Sequence, residues 1–508
     1  ILACFAGLTF ASCNKFLDEK PLTEFPGAEF YKTPGQFNTA VNGAYVGIEI
    51  PYVSVFLGLP LSEYWSLESL TGFSVNTFGT GPDEASYVRL DDIDPRNSYL
   101  YTAYRGIYSP IKACNLTIAK INETTVLDET TKKNYLGQLK FLRAWYYFHG
   151  VQVFGEIPLV TEPITGITDP EIQFPKATID KVYAQIVKDL TEAEADSGLP
   201  WTDESGHANM AAIKALLARV YITMAGFPLQ KGQSHYQLAY EKAKEVIDGA
   251  SQHNIGLFTA YAELRTPANN NKREHIFQVQ RNTSTFPNEL PAGMVPLLEG
   301  DKLSENLVFE AALLPTEPFY NSYAANDKRK QDKQFFQTFT DDDNLVKHFN
   351  YKFWDDAFHA TANSRSGLNI WLIRYADVLL TCAEAKARAD GGSTGDPTAV
   401  NAYTAVHGRA TGTATVPGGL LTSELVMKER FFEQAFEYLN WFDMIRTHET
   451  MELDLPTVNP VDGTKSRIVP LIGFKAKSHL RPFKQSDLLQ PLPTQARLLN
   501  PKLNDPAQ

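Results

Sequence analysis

Apolar side chains recur along much of the chain at the spacing of one face of an α-helix. In Thr178 to Ala195 they follow a three-and-four spacing, and Thr178 can cap the first turn. Asn209 to Ala225 is rich in Ala and Leu and is followed by Gly226 and Pro228, which favour a helix stop. The spacing therefore predicts two successive helices.

The same pattern predicts five further helices: Ser234 to Asp248, Leu100 to Ile121, Leu136 to Val153, Ile370 to Ala389 and Thr422 to Arg446. Helices joined by short loops are expected to pack as antiparallel pairs. Small residues such as Ala211, Ala215 and Ala383 would let them approach closely. The hairpins are similar to tetratricopeptide-type repeats without a strict repeat length. We predict an all-α fold of degenerate, tetratricopeptide-like helical hairpins with long irregular loop regions.

Two long stretches lack a helical period. Pro51 to Asn97 is rich in Gly, Ser, Thr and aromatic residues, and Phe258 to Arg365 carries many Asn, Pro and Asp. Loops of this length in a compact domain usually serve a function. The alternative is that they only decorate a large surface.

The first residues are apolar. Ile1 to Ser12 has the length of a signal-peptide core, although a buried strand or short helix is the alternative. Ala11 and Ser12 precede Cys13, which predicts a lipidation site, with Phe10 where Leu is usual. We predict a partial signal peptide over residues 1–12, a lipid-anchored tether over 13–35 and a single domain over 36–508.

Composition narrows the classes of partner. The 508-residue chain has 59 acidic and 47 basic residues, a net charge of −12, which argues against nucleic acid and against adsorption to anionic lipid. No apolar run after the N-terminus is long enough for a transmembrane helix. Cys114 and Cys382 lie in helical patterns, where buried free thiols are favoured over a disulfide.

Five segments, taken together and in order, resemble the SusD/RagB family of outer-membrane nutrient-binding lipoproteins. They cover nearly the whole chain and are CNKFLDEKP (Cys13 to Pro21), Leu139 to Val160 with its FGEIPLV ending, MAAIKALLARVYI (Met210 to Ile222), LIRYADVLLTCAEAKA (Leu372 to Ala387), and Lys428 to Arg446 with the closing Leu489 to Pro506. The resemblance implies an all-α scaffold whose loops carry the binding surface.

The resemblance also implies a function and a partner. It indicates a lipoprotein of the cell outer membrane, facing outside, that binds an oligosaccharide or polysaccharide and delivers it to a TonB-dependent SusC-like transporter. Aromatic residues suit the C–H faces of sugar rings, and Asn, Asp and Arg suit their hydroxyls. Capture of a peptide or another nutrient, a glycoside hydrolase, and a repeat scaffold without a small ligand remain alternatives.

Catalytic chemistry is weakly represented. The GxSxG match at Gly391 to Gly395 follows a helical pattern and precedes Asp396-Pro397, which predicts a turn between helices rather than a nucleophile elbow. The sequence has no CxxC or HExxH motif, no Walker loop and no dinucleotide-binding Gly motif, so no cofactor and no metal site is predicted. Asp341 to Asp343 is interpreted as a solvated turn or an opportunistic cation site. We predict a protein that is not an enzyme.

The ligand-binding residues are chosen from chemistry and location, because none of the family motifs is itself a ligand motif. The two long stretches supply seven candidates: Tyr64, Trp65, Asn76, Phe78, Tyr87, Asn282 and Trp354. Each aromatic residue among them could equally belong to the core. The expected arrangement is an exposed aromatic pair with an Asn or Asp within hydrogen-bond reach.

Overall fold

The computed structural model describes residues 30–52, 63–75, 82–164, 172–288, 290–294, 313–340, 344–356 and 366–508. The predicted signal peptide, Cys13 and most of the predicted tether therefore lie outside the described residues, as do Asn76, Phe78 and Asp341 to Asp343.

The described residues form fourteen α-helices. In chain order they are α1 Pro34–Tyr45, α2 Glu63–Leu70, α3 Pro82–Arg89, α4 Ser98–Glu123, α5 Glu129–Phe154, α6 Ile179–Asp196, α7 Met210–Ala225, α8 Gln233–Gly249, α9 Glu317–Ser322, α10 Tyr375–Ala389, α11 Pro397–Thr411, α12 Ser423–Glu433, α13 Asn440–Thr447 and α14 Thr494–Leu499.

Twelve short strands pair two by two within the described residues. They are β1 Ser74–Val75, β2 Ile157–Pro158, β3 Lys176–Ala177, β4 His275–Val279, β5 Leu314–Pro315, β6 Phe336–Thr340, β7 Val346–Asn350, β8 Ile370–Arg374, β9 Ser393–Thr394, β10 Leu421–Thr422, β11 Glu449–Glu452 and β12 Arg467–Pro470. All pairs are antiparallel: β1 with β5, β2 with β3, β4 with β8, β6 with β7, β9 with β10, and β11 with β12.

The long helices stack in sequence, which confirms the predicted all-α, tetratricopeptide-like fold. Helix α4 packs on α5, α5 on α6, α6 on α7, α7 on α8, α8 on α10, and α10 on α11. Ala211, Ala215 and Ala383 are buried in the core between these helices, as expected of small residues at close approaches. None of the described helices has the length and apolarity needed to cross a bilayer.

Local capping explains where the best-predicted helices begin. The side chain of Thr178 accepts a hydrogen bond from the backbone N–H of Lys181, and Asn209 accepts one from Ala212. Helix α5 begins earlier than the apolar pattern predicts, because Asp128 caps a polar first turn by accepting from Thr131. The apolar face therefore located these helices, whereas the caps set their first residues.

Two predicted helices are wrong in part. Ile370 to Arg374 is strand β8 and not the start of a helix, because its five residues are all buried and pair with the equally buried β4. These residues include Ile and Trp, which favour a strand, and their backbone pairs with β4, so the helix begins only at Tyr375.

The helix predicted over Thr422 to Arg446 is also broken into α12 and α13. Phe436 and Tyr438 in the connection have φ of 63°, a left-handed conformation that an α-helix cannot contain. The buried connection is held by side chains from other elements. Lys352 Nζ donates to the carbonyls of Glu433 (2.6 Å) and Ala435 (3.0 Å). These long-range bonds replace the helical ones.

The two long stretches predicted to be irregular contain short elements. Helices α2 and α3 lie in the first, and β4, β6, β7 and α9 lie in the second. The GxSxG match lies between α10 and α11, so it is the predicted helix-to-helix connection. Cys114 and Cys382 are buried free thiols, as favoured.

Candidate functional site

One cleft of about 720 Å³ opens between the two long stretches and the C-terminal part of the chain. Its size lies in the range of ~300–1,000 Å³ that is usual for small-ligand sites. Its walls come from the turn after α2, from β5 and the start of α9, from β7, and from two C-terminal segments. The lining residues are Thr71–Phe73, Val75, Leu314–Pro318, Lys347, His348, Met451–Asp454 and Phe474–Ser478.

Pairing of β1 with β5 joins the two long stretches at this cleft. Ser74 faces Pro315 and Val75 faces Leu314 in the pair. Thr316 closes the junction, because its backbone N–H donates to the carbonyl of Phe73 at 2.9 Å. Residues that are some 240 positions apart along the chain therefore form one wall.

Gly72 makes the turn into this wall possible. Its φ of +74° favours glycine, and a Cβ there would lie 2.5 Å from the Cβ of Ala476 on the opposite segment. The backbone of Gly72, in the turn after α2, consequently packs directly against the side chain of Ala476 in the C-terminal segment. A larger residue at Gly72 would push the two walls apart.

One side chain of the cleft wall, His348, is backed by a stacked ring. His348 lies on Tyr320 with ring centroids 3.4 Å apart, and its Nδ1 is 3.0 Å from the carboxylate of Glu317. Lys330 Nζ lies 4.7 Å from the centre of the Tyr320 ring. Burial raises the pKa of Tyr320, and the nearby Glu317 adds to that shift, so the phenol stays neutral.

The cleft combines apolar and polar groups. Phe474, Leu453 and Pro318 offer apolar surface, whereas acidic, basic and hydroxyl side chains lie between them. Such a surface fits a ligand with apolar faces and many hydroxyls. A second, narrower cleft of about 60 Å³ lies near Tyr52, Trp145 and Phe442, and it is too small for more than a few waters.

The structure places three of the predicted ligand residues in the core. Tyr64 is 1% exposed and donates its hydroxyl hydrogen to the carbonyl of Phe436 at 2.5 Å. Tyr87 is buried beside Tyr99, with ring centroids 6.5 Å apart. Trp354 is 4% exposed and stacks on Tyr351 in a small aromatic cluster with Phe339 and Phe349. None of the three presents a ring face to solvent in this structure.

The other four residues have different positions. Asn282 is exposed, and its Oδ1 accepts from the backbone N–H groups of Ser284, Thr285 and Phe286, which shapes a tight loop. Trp65 lies in α2, but its side chain is outside the described part, as are Asn76 and Phe78. The described members of the set do not line the cleft. Their contact with a ligand stays a prediction.

The sequence analysis missed the cleft residues of the C-terminal segment. Phe474, Lys475, Lys477 and Ser478 lie on a loop whose ends are joined by hydrogen bonds between Phe474 and Phe483 and between Gly473 and Phe483. The available signal was GFKAKSH, a Gly-initiated run with alternating lysines after the last long helix. It has no helical period, and no motif marks it.

Comparison with known proteins identifies similar chains. A family model described as starch-binding and associating with the outer membrane matches residues 64–222, and one described as the SusD family matches residues 312–507. SusD-like protein P2 of Formosa agariphila is 25% identical over 506 residues, which covers 92% of this chain and 94% of that protein.

Solved structures of SusD superfamily proteins are also similar to this chain. A SusD superfamily protein from Parabacteroides distasonis has a TM-score of 0.80 and 30% identity, covering 92% of this chain and 98% of that one. Surface glycan-binding protein A from Bacteroides thetaiotaomicron, solved in complex with laminarihexaose, has a TM-score of 0.72 and 18% identity, again over 92% and 98%. The second likeness shows a shared fold.

Proposed function

The chain belongs to the SusD/RagB family, and from that premise we propose that it is a cell-surface glycan-binding lipoprotein that delivers oligosaccharide to a TonB-dependent transporter. The observation that carries the proposal is the cleft of about 720 Å³, which the loops build on the helical stack. Its mixture of apolar and hydrogen-bonding groups is the combination that a sugar requires. A similarly folded surface glycan-binding protein was solved with a bound laminarihexaose.

Binding is proposed to occur without hydrolysis. Two of the carboxylates in the cleft are already engaged, since Glu317 contacts His348 at 3.0 Å and Glu452 contacts Arg467 at 2.5 Å. Relatives of the chain are SusD-like proteins rather than named hydrolases. A glycosidase would need two carboxyl groups placed on either side of a glycosidic bond, one of them able to donate a proton.

The anchor and the partner complete the proposal. Cys13, which follows Ala11 and Ser12, is proposed to carry the lipid that holds the domain at the outer membrane. A transporter in the same membrane would then receive the glycan. The support for this step is the family's own description as associating with the outer membrane.

The test is a comparison of two ligand libraries on the purified protein. We expect binders on a glycan array and none in a peptide library, with every bound glycan recovered at its original length on chromatography. Binding of peptides alone would contradict glycan capture. Reproducible shortening of a glycan, abolished by substitution of a single Asp or Glu, would contradict the absence of catalysis.

A further inference from the structure

The acidic groups of the cleft are partly engaged by neighbours. Glu452 forms an ion pair with Arg467, and Glu317 contacts His348, which balances its charge only when the imidazole is protonated. Asp454 is exposed at the rim, and its carboxylate forms no ion pair with a described residue. The described side chains of the cleft therefore keep negative charge at Glu317 and Asp454.

The basic groups have the opposite character. Lys475 and Lys477 both line the cleft, are exposed, and form no ion pair within the described ranges. Behind the Tyr320–His348 stack, Lys330 is also unpaired with any described carboxylate. Burial lowers its pKa, and the nearby Lys465 lowers it further, against opposing effects of Asp327 and Glu317. Two exposed lysines without a described ion-pair partner thus line the cleft of a chain whose net charge is −12.

Unsatisfied polar atoms lie at the same end of the cleft. Ser478 lines it, and its Oγ is buried without a hydrogen-bond partner. The next residue, His479, is 3% exposed, and neither of its ring nitrogens has a partner. Burial, Arg481 and Lys475 together lower the pKa of His479 to about 4, against a smaller opposing effect of Asp487. The neutral ring of His479 thus lies near the positive charges of Arg481 and Lys475. Buried polar atoms without a hydrogen-bond partner are rare in proteins.

From these features, which extend the proposed function, we infer that the glycan bound in this cleft is anionic and carries carboxylate or sulfate groups that contact Lys475 and Lys477. Two ammonium groups can together donate several charge-assisted hydrogen bonds to one acidic group. A neutral glycan would gain no such charge-assisted contact from either lysine.

The experiment compares charged and uncharged forms of the same glycan. An array is prepared with oligogalacturonates and their methyl esters, and with carrageenan oligosaccharides and their desulfated forms, beside neutral plant and algal glucans. We expect binding to at least one charged form, loss of that binding in its neutral counterpart, and weakening as ionic strength rises. The two arms separate carboxylate from sulfate recognition.

Two double variants locate the charge effect. Lys475→Gln with Lys477→Gln should weaken binding of the charged glycan by about tenfold, which corresponds to about 1.4 kcal/mol. The matched control is Lys181→Gln with Lys188→Gln on the exposed face of α6, which should leave affinity unchanged. Both proteins should retain the melting temperature of the parent, because all four side chains are exposed.

The outcomes distinguish this inference from the function on which it rests. Equal affinity for charged and neutral forms, binders that are all neutral, or an equal loss in the two double variants would overturn the anionic ligand and leave glycan binding intact. The absence of any glycan binder on the array would overturn both.

Discussion

At the scale of single residues, buried charges do much of the work of holding distant segments together. Arg374 on β8 contacts the carboxylates of Glu274 (2.6 Å), Glu433 (3.1 Å) and Glu437 (2.6 Å), each at least 59 positions away along the chain. Such groups are costly to bury singly, and removing one partner of a buried pair commonly costs ~3–5 kcal/mol. The network consequently favours one arrangement of β4, β8 and the end of α12.

Trp354 offers a direct test of core against ligand contact. Its burial in the cluster with Tyr351, Phe339 and Phe349 predicts that Trp354→Ala lowers the free energy of unfolding by about 3–5 kcal/mol. Phe286→Ala is the control, because that ring is 58% exposed and its loss should change stability by less than about 0.5 kcal/mol. Thermal unfolding checks both, and glycan affinity measured on the same variants decides whether either ring also binds. A Trp354 variant of unchanged stability would contradict the core assignment.

His407 predicts a pH dependence of stability. Burial alone would lower its pKa, but the hydrogen bond to Glu429 (2.7 Å) and the charge of that carboxylate raise it above the usual value, against an opposing effect of Arg329. A raised folded-state pKa means that the contribution of His407 to stability is complete below about pH 6.5 and is lost as the pH rises through the folded pKa.

The measurement is the unfolding free energy of the parent and His407→Gln across this pH range. The difference between the two proteins should be largest at acidic pH and should shrink toward alkaline pH. A difference that grows with pH would contradict the sign of the shift.

The residue scale also shows what sequence reasoning could reach. The sequence places Arg143, Arg374 and Arg446 among aromatic residues, which favours a scaffold role paired with a carboxylate such as Asp377 or Asp443. Each is buried and paired, and Asp443 is one partner of Arg446. The partners Asp189 and Glu384 could not be assigned, because they come from other helices and pairing across the stack depends on tertiary register. For the same reason the pattern could not separate the buried Tyr64 from an exposed loop tyrosine.

At the scale of elements, the break between α12 and α13 connects the core to the cleft. Glu68 at the end of α2 accepts a hydrogen bond from the backbone N–H of Tyr438 at 2.7 Å, and α2 leads directly into the Gly72 wall. Lys352, which follows β7, holds the same connection. The cleft wall that follows α2 and the cleft wall formed by β7 are therefore both attached to the buried connection between α12 and α13.

The buried carboxyl of Glu68, at the end of α2, predicts a second pH dependence of stability. Burial raises the pKa of its carboxyl to about 8, although the hydrogen bond from Tyr438 and the charge of Lys352 oppose the shift. Between its unfolded pKa of about 4.3 and this value the folded state holds the proton more tightly, so this contribution to stability falls as the pH rises.

Glu68→Gln keeps an acceptor for Tyr438 and removes the titration. Relative to the parent, this variant should become progressively more stable as the pH is raised toward 8, as measured by chemical unfolding. Glu424→Gln, at an exposed position of α12, is the control and should show no such trend. A constant difference between Glu68→Gln and the parent would argue that Glu68 is ionised throughout.

Element prediction succeeded where composition, start signals and stop signals all favour a helix. Helix α6 has an apolar face and the Thr178 cap, and α7, although buried almost all round, is rich in Ala and Leu and has the Asn209 cap; both were located to within a residue or two. Strand β8 and the connection at Phe436 lack such signals, and their conformations follow from β4 and Lys352. The cleft was out of reach because three separate parts of the chain build it.

At the scale of the whole molecule, the helical stack is a rigid base on which loops form a cleft, and the proposal adds an anchor at one end of the chain. The proposed binding surface lies in the residues from 30 onward, whereas the proposed membrane attachment depends on Cys13 outside that region. Binding and attachment should consequently be separable.

Cys13→Ala tests this separation. We expect the variant to leave the membrane fraction while its affinity for the array-selected glycan stays equal to that of the parent. Fractionation after deletion of the transporter gene removes retention through the partner. A variant that remains with membranes under those conditions would contradict lipidation at Cys13.

The most direct test of glycan binding in the cleft is a crystal structure with the strongest binder from the array bound. The account predicts sugar rings against Phe474 and Leu453, with an acidic group of the glycan between Lys475 and Lys477, and an uncleaved chain. A glycan seated on the helical stack or elsewhere outside the cleft, or one recovered in the crystal as a shortened product, would contradict it.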